Sequence, residues 1–282
     1  LQQALLGIDC GTTNTKVVAF STDGVELAKA SVPTVTSHPQ AGWAEYDAGA
    51  LWDTVCELLQ RVLRRLPNSV QPAAIGVTGM AEAGVPLDKS GNPLHSAISW
   101  LDSRTASELK SWEDLVGADR TADITGLPMN TAAGILRLLW LRTNAPDAFG
   151  QTRHWLNLPD YCAYKLSSAA VTDYSLASRM MVLDLKSRRW SDELLEQIGI
   201  KKDVLGELVP SGTQIGTVTE EASARTGLPA GLPVCAGGHD HLCAALGLGV
   251  TNPGDVFDSM GTAEAIVVTL DAPNPSAEIA SK

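Results

Sequence analysis

Residues 5–20 constrain this chain more than any other stretch. Leu5-Leu6-Gly7-Ile8 is a short apolar run that leads to Asp9, Gly11-Thr12-Thr13-Asn14-Thr15-Lys16 is a glycine-led polar turn, and Val17-Val18-Ala19-Phe20 is a second apolar run. Apolar run, turn and apolar run predict two strands joined as a hairpin. The tip carries chemistry suited to phosphate. Gly11 lets the backbone approach a ligand closely. The hydroxyls of Thr12, Thr13 and Thr15 and the N–H groups of the turn can donate to phosphate oxygens. Asp9 stands where a carboxylate can hold Mg²⁺, directly or through water, and Lys16 adds positive charge. The segment is not a Walker A loop, because no helix follows at once. The same letters also fit an ordinary hairpin with a polar tip, so the rest of the chain has to decide.

The chain has 282 residues, 44% of them hydrophobic, enough for one large domain or about two. A net charge of −11 argues against nucleic-acid binding, which needs a basic face. It does not argue against a nucleotide, since a local loop and a metal ion can neutralise a triphosphate. Cys10, Cys56, Cys162, Cys235 and Cys243 are scattered, without metal-type spacing, and read as buried thiols of a reducing, cytoplasmic compartment. No apolar run is long enough to span a bilayer, the start lacks the basic region of a signal peptide, and no solenoid-period repeat is visible. The chain starts at Leu1 rather than Met, which reads as a trimmed product.

Strands and helices are predicted to mix. Residues 4–33 read as three strands, with turns at 11–15 and at Thr22-Asp23-Gly24, the Asp-Gly pair being a hairpin signal. Residues 38–43 are a loop. Over 47–66, Ala48, Leu51, Val55, Leu58, Leu59, Val62 and Leu66 recur near a 3.6-residue period and predict an amphipathic helix. Residues 73–78 form a buried strand whose sense the sequence leaves open. Val85-Pro86-Leu87-Asp88 and Ala97-Ile98-Ser99-Trp100, either side of a Lys89-Ser90-Gly91-Asn92 turn, are expected to pair as a second hairpin. Helices are expected over 103–115, over 132–143, over 158–167 after Leu158-Pro159, and over 192–198, begun by Ser191. Residues 227–231 are a turn. Val234-Cys235-Ala236 is a strand leading into a helix over 240–246. Residues 256–260 and 264–270 close the pattern as an apolar hairpin, and the chain is expected to fray after Asp271. This mixture fits an α/β domain.

Four segments carry candidate chemistry. In Gly237-Gly238-His239-Asp240-His241 a strand runs into two glycines and then into an acid at the first turn of a helix, where the helix N-terminus favours a carboxylate. Asp240 reads either as an N-cap or as a general base facing a substrate hydroxyl. Neighbouring helix positions do not face one way, so a His-Asp-His metal cluster is not expected. His241 is a candidate hydrogen-bond partner for substrate, and His239 is read as structural. In Asp258-Ser259-Met260-Gly261-Thr262 a strand again enters a Gly-Thr turn, so Gly261 and Thr262 can form a second wall of a polyphosphate cradle. Gly79-Met80-Ala81-Glu82 follows a buried strand, and Glu82 is either an acceptor for sugar hydroxyls or a solvated loop acid. In Trp100-Leu101-Asp102-Ser103-Arg104, Trp100 is either an apolar wall for a sugar face or core packing, Asp102 is an acceptor, and Arg104 can orient either acid.

Taken in order, Asp9-Cys10-Gly11-Thr12-Thr13-Asn14-Thr15-Lys16, Gly42-Trp43-Ala44-Glu45, Ala97-Ile98-Ser99-Trp100-Leu101-Asp102-Ser103-Arg104-Thr105, Thr172-Asp173-Tyr174-Ser175-Leu176-Ala177-Ser178 and Gly237-Gly238-His239-Asp240 resemble the FGGY-type carbohydrate kinases, such as xylulokinase, gluconokinase and glycerol kinase. The resemblance covers essentially the whole chain and is specific as a set. It implies a ribonuclease-H-like, actin/hexokinase-type mixed sheet with flanking helices, and transfer of phosphate from ATP, with Mg²⁺, to a hydroxyl of a sugar, polyol or sugar acid. By this resemblance Asp9, Gly11, Thr12, Thr13 and Lys16 match the first phosphate loop, with Asp9 near the metal. Gly261 and Thr262 match the second loop, Asp240 the catalytic base, and Ala81 and Glu82 the pair that meets substrate. The partners implied are a small sugar and ATP, with neither nucleic acid nor membrane, and a homodimer is open to it.

The departures are informative. Glycerol kinases carry Arg-Glu where this chain has Ala81-Glu82, and Tyr-Phe where it has Ala132-Ala133. Losing a Tyr and an Arg widens the pocket, which disfavours glycerol and suits a longer sugar, ketose or sugar acid. Xylulokinases carry Met-His near Ala81-Glu82, and Asp-Asn where this chain has Asp240-His241. Family members also continue into a second domain of similar size that holds the adenosine site. Residues 1–246 are therefore expected to be the sugar and phosphate-loop domain and 247–282 the start of the second, giving a fragment with little or no turnover alone. The rival readings are a non-catalytic sugar sensor built on the kinase domain, and an actin- or chaperone-like ATPase acting on protein.

Overall fold

A six-stranded mixed sheet forms the centre of the computed structural model, which describes residues 1–260 and 264–273. β1 (Gln2–Cys10), β2 (Asn14–Ser21) and β3 (Glu26–Pro33) make an antiparallel meander. β4 (Val70–Gly79) lies parallel to β1 on its other side. β5 (Gln214–Thr217) and β6 (Pro233–His239) complete that edge, β6 parallel to β4 and β5 antiparallel at the rim. The spatial order is β5-β6-β4-β1-β2-β3.

The sequence pattern explains the layers. Leu6, Ile8 and Cys10 alternate on one face of β1, as Val17 and Ala19 do on β2, the two-residue period of a strand. Parallel neighbours need crossovers. The first is α1 (Ala48–Leu63), capped by the Asp47 carboxylate accepting from the Ala50 N–H. Its buried stripe, including Leu51, Val55, Leu58 and Val62, packs on the sheet. α2 (Leu158–Ser167) joins the same core through Leu158, Tyr161 and Leu166. The crossover from β4 to β6 is long enough to hold a second core of its own, built around Trp112, Ile135, Leu138, Met181 and Leu194.

The expected hairpin around residue 90 does not form. Gly84–Leu87 pairs antiparallel with His154–Asn157, and Ala97–Ile98 pairs with Glu45–Tyr46. The turn itself is present, with Asp88 Oδ1 accepting from the N–H groups of Ser90 and Asn92. Local turn chemistry is legible in sequence; the partner of a short, wholly buried strand is not. Helices at Ala118–Thr125 and Glu220–Thr226 also escape the sequence reading, being too short to show a period. No helix among the described residues is long and apolar enough to cross a membrane.

Asp160, in the first turn of α2, is sealed inside this core. Burial pushes its carboxyl up to about 7, and the nearby charge of Asp173 acts in the same direction. An unfolded-chain carboxyl titrates near 3.9. Between these values the folded protein keeps a proton that the unfolded chain has lost. The stability tied to this group is therefore full below about pH 4 and is lost as pH rises through about 7. Asp160→Asn is expected to flatten that decline and to raise the unfolding temperature at pH 8 more than at pH 5. Thermal unfolding at the two pH values checks it, and an identical shift at both would remove Asp160 as the source.

Candidate active site

Three parallel strands end side by side. Cys10 of β1 is in register with Gly79 of β4, and Gly79 with His239 of β6. The loops that follow are the Gly-Thr turn, the segment carrying Ala81 and Glu82, and the helix α3 (Asp240–Gly247). The carboxyl edge of an open α/β sheet is where such folds bind ligands.

The end of β6 is shaped by a bulge. Ala236 pairs with Val77 and Gly238 with Thr78, leaving Gly237 as the extra residue. A Cβ on Gly237 would collide with the Val77 carbonyl, and one on Gly238 would sit 2.8 Å from Ser175 Oγ; only glycines allow this approach. The Gly238–His239 peptide is then held at both polar atoms. Thr78 Oγ1 donates to the Gly238 carbonyl at 2.6 Å, and the His239 N–H donates to Ser175 Oγ at 2.8 Å. Ser175 Oγ in turn donates to Asp173 Oδ2 at 2.7 Å, which Ser211 Oγ also reaches. Asp173 is buried and receives the N–H groups of Ser175 and Leu176 as well. The 172–178 motif thus anchors the backbone from which Asp240 projects. Sequence reasoning noticed the motif without assigning it work.

Asp240 is the first helical residue of α3. His239 occupies the N-cap position without a side-chain cap bond, and Asp240 Oδ1 accepts from the His241 N–H at 2.8 Å. Its carboxylate faces a cleft of ≈ 490 Å³. Thr12 of the Gly-Thr turn lines the same cleft, and so do Ala81, Glu82, Trp100 and His241. Trp100 Nε1 donates to Thr12 Oγ1 at 3.0 Å, tying the phosphate-type turn to the opposite wall.

Glu82 is not a solvated loop acid. It sits at φ +62°, a backbone conformation uncommon outside glycine, and its nearly buried Oε1 accepts from Arg179 Nε at 2.7 Å. Arg179 also lines the cleft, and sequence reasoning missed it. The only signal was its place, one residue past the 172–178 motif.

His239 also lies in the cleft rather than apart from it. Its Nε2 is 3.3 Å from Asp240 Oδ1, and His241 Nε2 is 3.9 Å from the same oxygen. The expectation that these three side chains diverge applied helix spacing to His239 too, although that residue precedes the helix expected over 240–246. His239 is instead the last residue of β6, so strand and helix geometry bring both rings to one side of Asp240.

Asp102 departs from its expected role. It is buried, and its carboxylate accepts from Arg104 Nε and Nη2 and from the Ala44 N–H. Arg104 bridges on to Glu45 at 2.8 Å and stacks over Trp43 with its guanidinium carbon 3.5 Å from the ring centre. Two sequence motifs therefore lock to each other behind the cleft, and Asp102 presents no acceptor to it.

Asp9 and Lys16 are cross-strand partners, with Nζ 2.8 Å from Oδ2. Part of the lysine's charge is thus already engaged by the carboxylate. Burial raises the Asp9 carboxyl above its ordinary range while Lys16 opposes the rise. Asp9 Oδ1 is buried with no hydrogen-bond partner among the described residues. A carboxylate oxygen left bare beside a phosphate-type turn suits a divalent ion or a water that the ion carries. The turn is braced by Thr34, whose Oγ1 donates to the Gly11 carbonyl at 2.7 Å and whose N–H donates to the Thr13 carbonyl at 3.0 Å. Gly261 and Thr262 lie outside the described residues.

Comparison with known proteins gives a consistent picture. The family model described as "FGGY family of carbohydrate kinases, N-terminal domain" matches residues 4–247. An L-fuculokinase of Escherichia coli (strain K12) is 30% identical over 269 residues, covering 95% of this chain and 57% of the relative. Among solved structures, a xylulose kinase from Rhodospirillum rubrum superposes with TM-score 0.93 at 32% identity, covering 97% of this chain and 56% of that one. A gluconate kinase from Lactobacillus acidophilus superposes with TM-score 0.91 at 26% identity, covering 98% and 56%. These neighbours share the actin/hexokinase-like ATPase fold. The chain spans about half the length of the curated relatives it matches.

Proposed function

The chain belongs to the FGGY family of carbohydrate kinases, and from that membership we propose that it supplies the sugar site, the general base and one phosphate loop for ATP-dependent phosphorylation of a sugar hydroxyl. The observation that carries this reading is the single cleft that Thr12, Glu82, Arg179 and Asp240 line together. Asp240 takes the proton of the sugar hydroxyl as its oxygen attacks the γ-phosphorus of ATP in line. The bond to the β–γ bridging oxygen breaks and ADP leaves. Gly11, Thr12 and Thr13 hold phosphate oxygens, joined by Gly261 and Thr262 from the second loop. A divalent ion held at Asp9 would neutralise phosphate charge. A second domain closing over the cleft would exclude water.

The sugar class follows from charge. Glu82 and Arg179 form a neutral pair, a carboxylate acceptor beside a guanidinium donor. Two adjacent hydroxyls satisfy such a pair, one donating and one accepting. A sugar acid would place its carboxylate near Glu82 and Asp240, with one already paired arginine to offset them. A neutral ketose or polyol is therefore the substrate class favoured here. Glu82→Gln and Arg179→Gln are each expected to weaken sugar binding about 10- to 100-fold, the worth of a hydrogen bond to a charged group. Calorimetric titration with a panel of ketoses, polyols and aldonates measures this. Tighter binding of aldonates than of their neutral counterparts would reverse the assignment.

A further inference from the structure

We propose that His239, Asp240 and His241 form a site for a borderline transition-metal ion of the Zn²⁺ type, and that an ion seated there occupies the carboxylate that would otherwise accept the sugar proton. Each residue offers one donor, and the three donor atoms lie within 4.8 Å of one another. Zinc with bonds of about 2.0–2.1 Å to nitrogen and oxygen separates tetrahedral ligand atoms by roughly 3.3 Å. The His239 Nε2–Asp240 Oδ1 separation is already 3.3 Å, while the 3.9 Å from His241 Nε2 to the same oxygen, and the widest separation within the 4.8 Å set, must shorten when the ion binds.

The surroundings hold these donors in place. The backbone of His239 is fixed by its N–H bond to Ser175 Oγ, on a peptide also held by Thr78. His241 Nδ1 lies 2.9 Å from Ser259 Oγ. With Nδ1–H donating to that hydroxyl, Nε2 keeps its lone pair toward Asp240, the outer-shell arrangement typical of metal-binding histidines. All three side chains are reachable, with exposures between 18% and 32%, and all three line the cleft. Two imidazoles and one carboxylate suit zinc, nickel or copper, whereas Mg²⁺ takes oxygen donors. The site is thus separate in chemistry from the divalent-ion position at Asp9. Its inhibitory consequence rests on the kinase reading above; the binding site itself does not.

Titration of ZnCl₂ into the chain, followed by calorimetry with excess Mg²⁺ present, tests the proposal. The expected result is one Zn²⁺ per chain, undisturbed by Mg²⁺. His239→Asn and His241→Asn should each weaken binding about 100-fold, and Ser259→Ala about 10-fold, with circular dichroism confirming that each variant is folded. Wild-type affinity in both histidine variants, displacement by Mg²⁺, or loss of binding only in Cys243→Ser would overturn it. In the complete enzyme, Zn²⁺ should inhibit the wild type, and His241→Asn should be far less sensitive relative to its own metal-free rate. An enzyme inactive with every sugar would remove the kinase reading and leave the calorimetric answer standing.

Discussion

Asp240→Asn is expected to lower sugar-dependent ADP formation by the complete enzyme about 10³-fold, within the usual range for loss of a positioned general base. Asparagine keeps the size of the side chain, and its amide oxygen can still accept the His241 N–H that Asp240 Oδ1 accepts now. The fold and the sugar contacts through Glu82 and Arg179 should therefore survive. What is lost is a group able to take a proton. Sugar affinity, measured calorimetrically, is expected to stay close to wild type while kcat falls, the signature of an interaction made only in the transition state. Retention of more than a tenth of the wild-type kcat would show that the hydroxyl is activated by something other than Asp240. A matching loss of sugar affinity would instead make Asp240 a binding residue.

The parts of this site that were legible in sequence are those whose chemistry is local. The β1–turn–β2 hairpin shows itself through two apolar runs around a Gly-Thr turn, α1 through its 3.6-residue period, and Asp240 through a strand, two glycines and a helix start within ten residues. The parts that were not legible depend on contacts across the chain. Arg179 meets Glu82, 97 positions away, and Ser175 meets the His239 backbone across 64; no window shows such pairs. The position of His239 failed for a subtler reason. The helix begins at 240 as expected, but the strand runs on past the bulge at Gly237 to residue 239, so His239 follows strand rather than helix spacing and its ring lies 3.3 Å from Asp240. Asp102 was misread because Arg104, two residues on, satisfies it from within the same turn.

Arg137 carries the largest expected effect on stability. It lies inside Ile135-Leu136-Arg137-Leu138-Leu139-Trp140-Leu141, and a cation in such an apolar run was the available signal that its head group has fixed work to do. Its side chain is fully buried and donates to the carbonyls of Ile98, Ser99, Thr131, Ala132 and Ala133. Burial pulls its pKa down to about 10, against the favourable charges of Glu82 and Asp102, so it remains charged at neutral pH. The acceptors sit on two segments, one leading into Trp100 and the other containing Ala132, both of which line the cleft. Arg137→Met fills similar volume but strips the Ile98 and Ala132 carbonyls of the donor they have here, while Ser99, Thr131 and Ala133 keep the Asp102 N–H, Thr105 Oγ1 and Leu136 N–H. At about 1–3 kcal/mol for each of these two buried acceptors, the expected destabilisation is at least about 2 kcal/mol, in the upper part of the usual range for single substitutions. Arg137→Lys should recover only part of it, because an ammonium has three donors at one point where the guanidinium spreads five across a plane. Denaturant unfolding of the three proteins measures the order, wild type above Arg137→Lys above Arg137→Met. A midpoint for Arg137→Met close to wild type would mean that water replaces the guanidinium. In that case the two cleft walls would be held together by apolar packing rather than by this one cation.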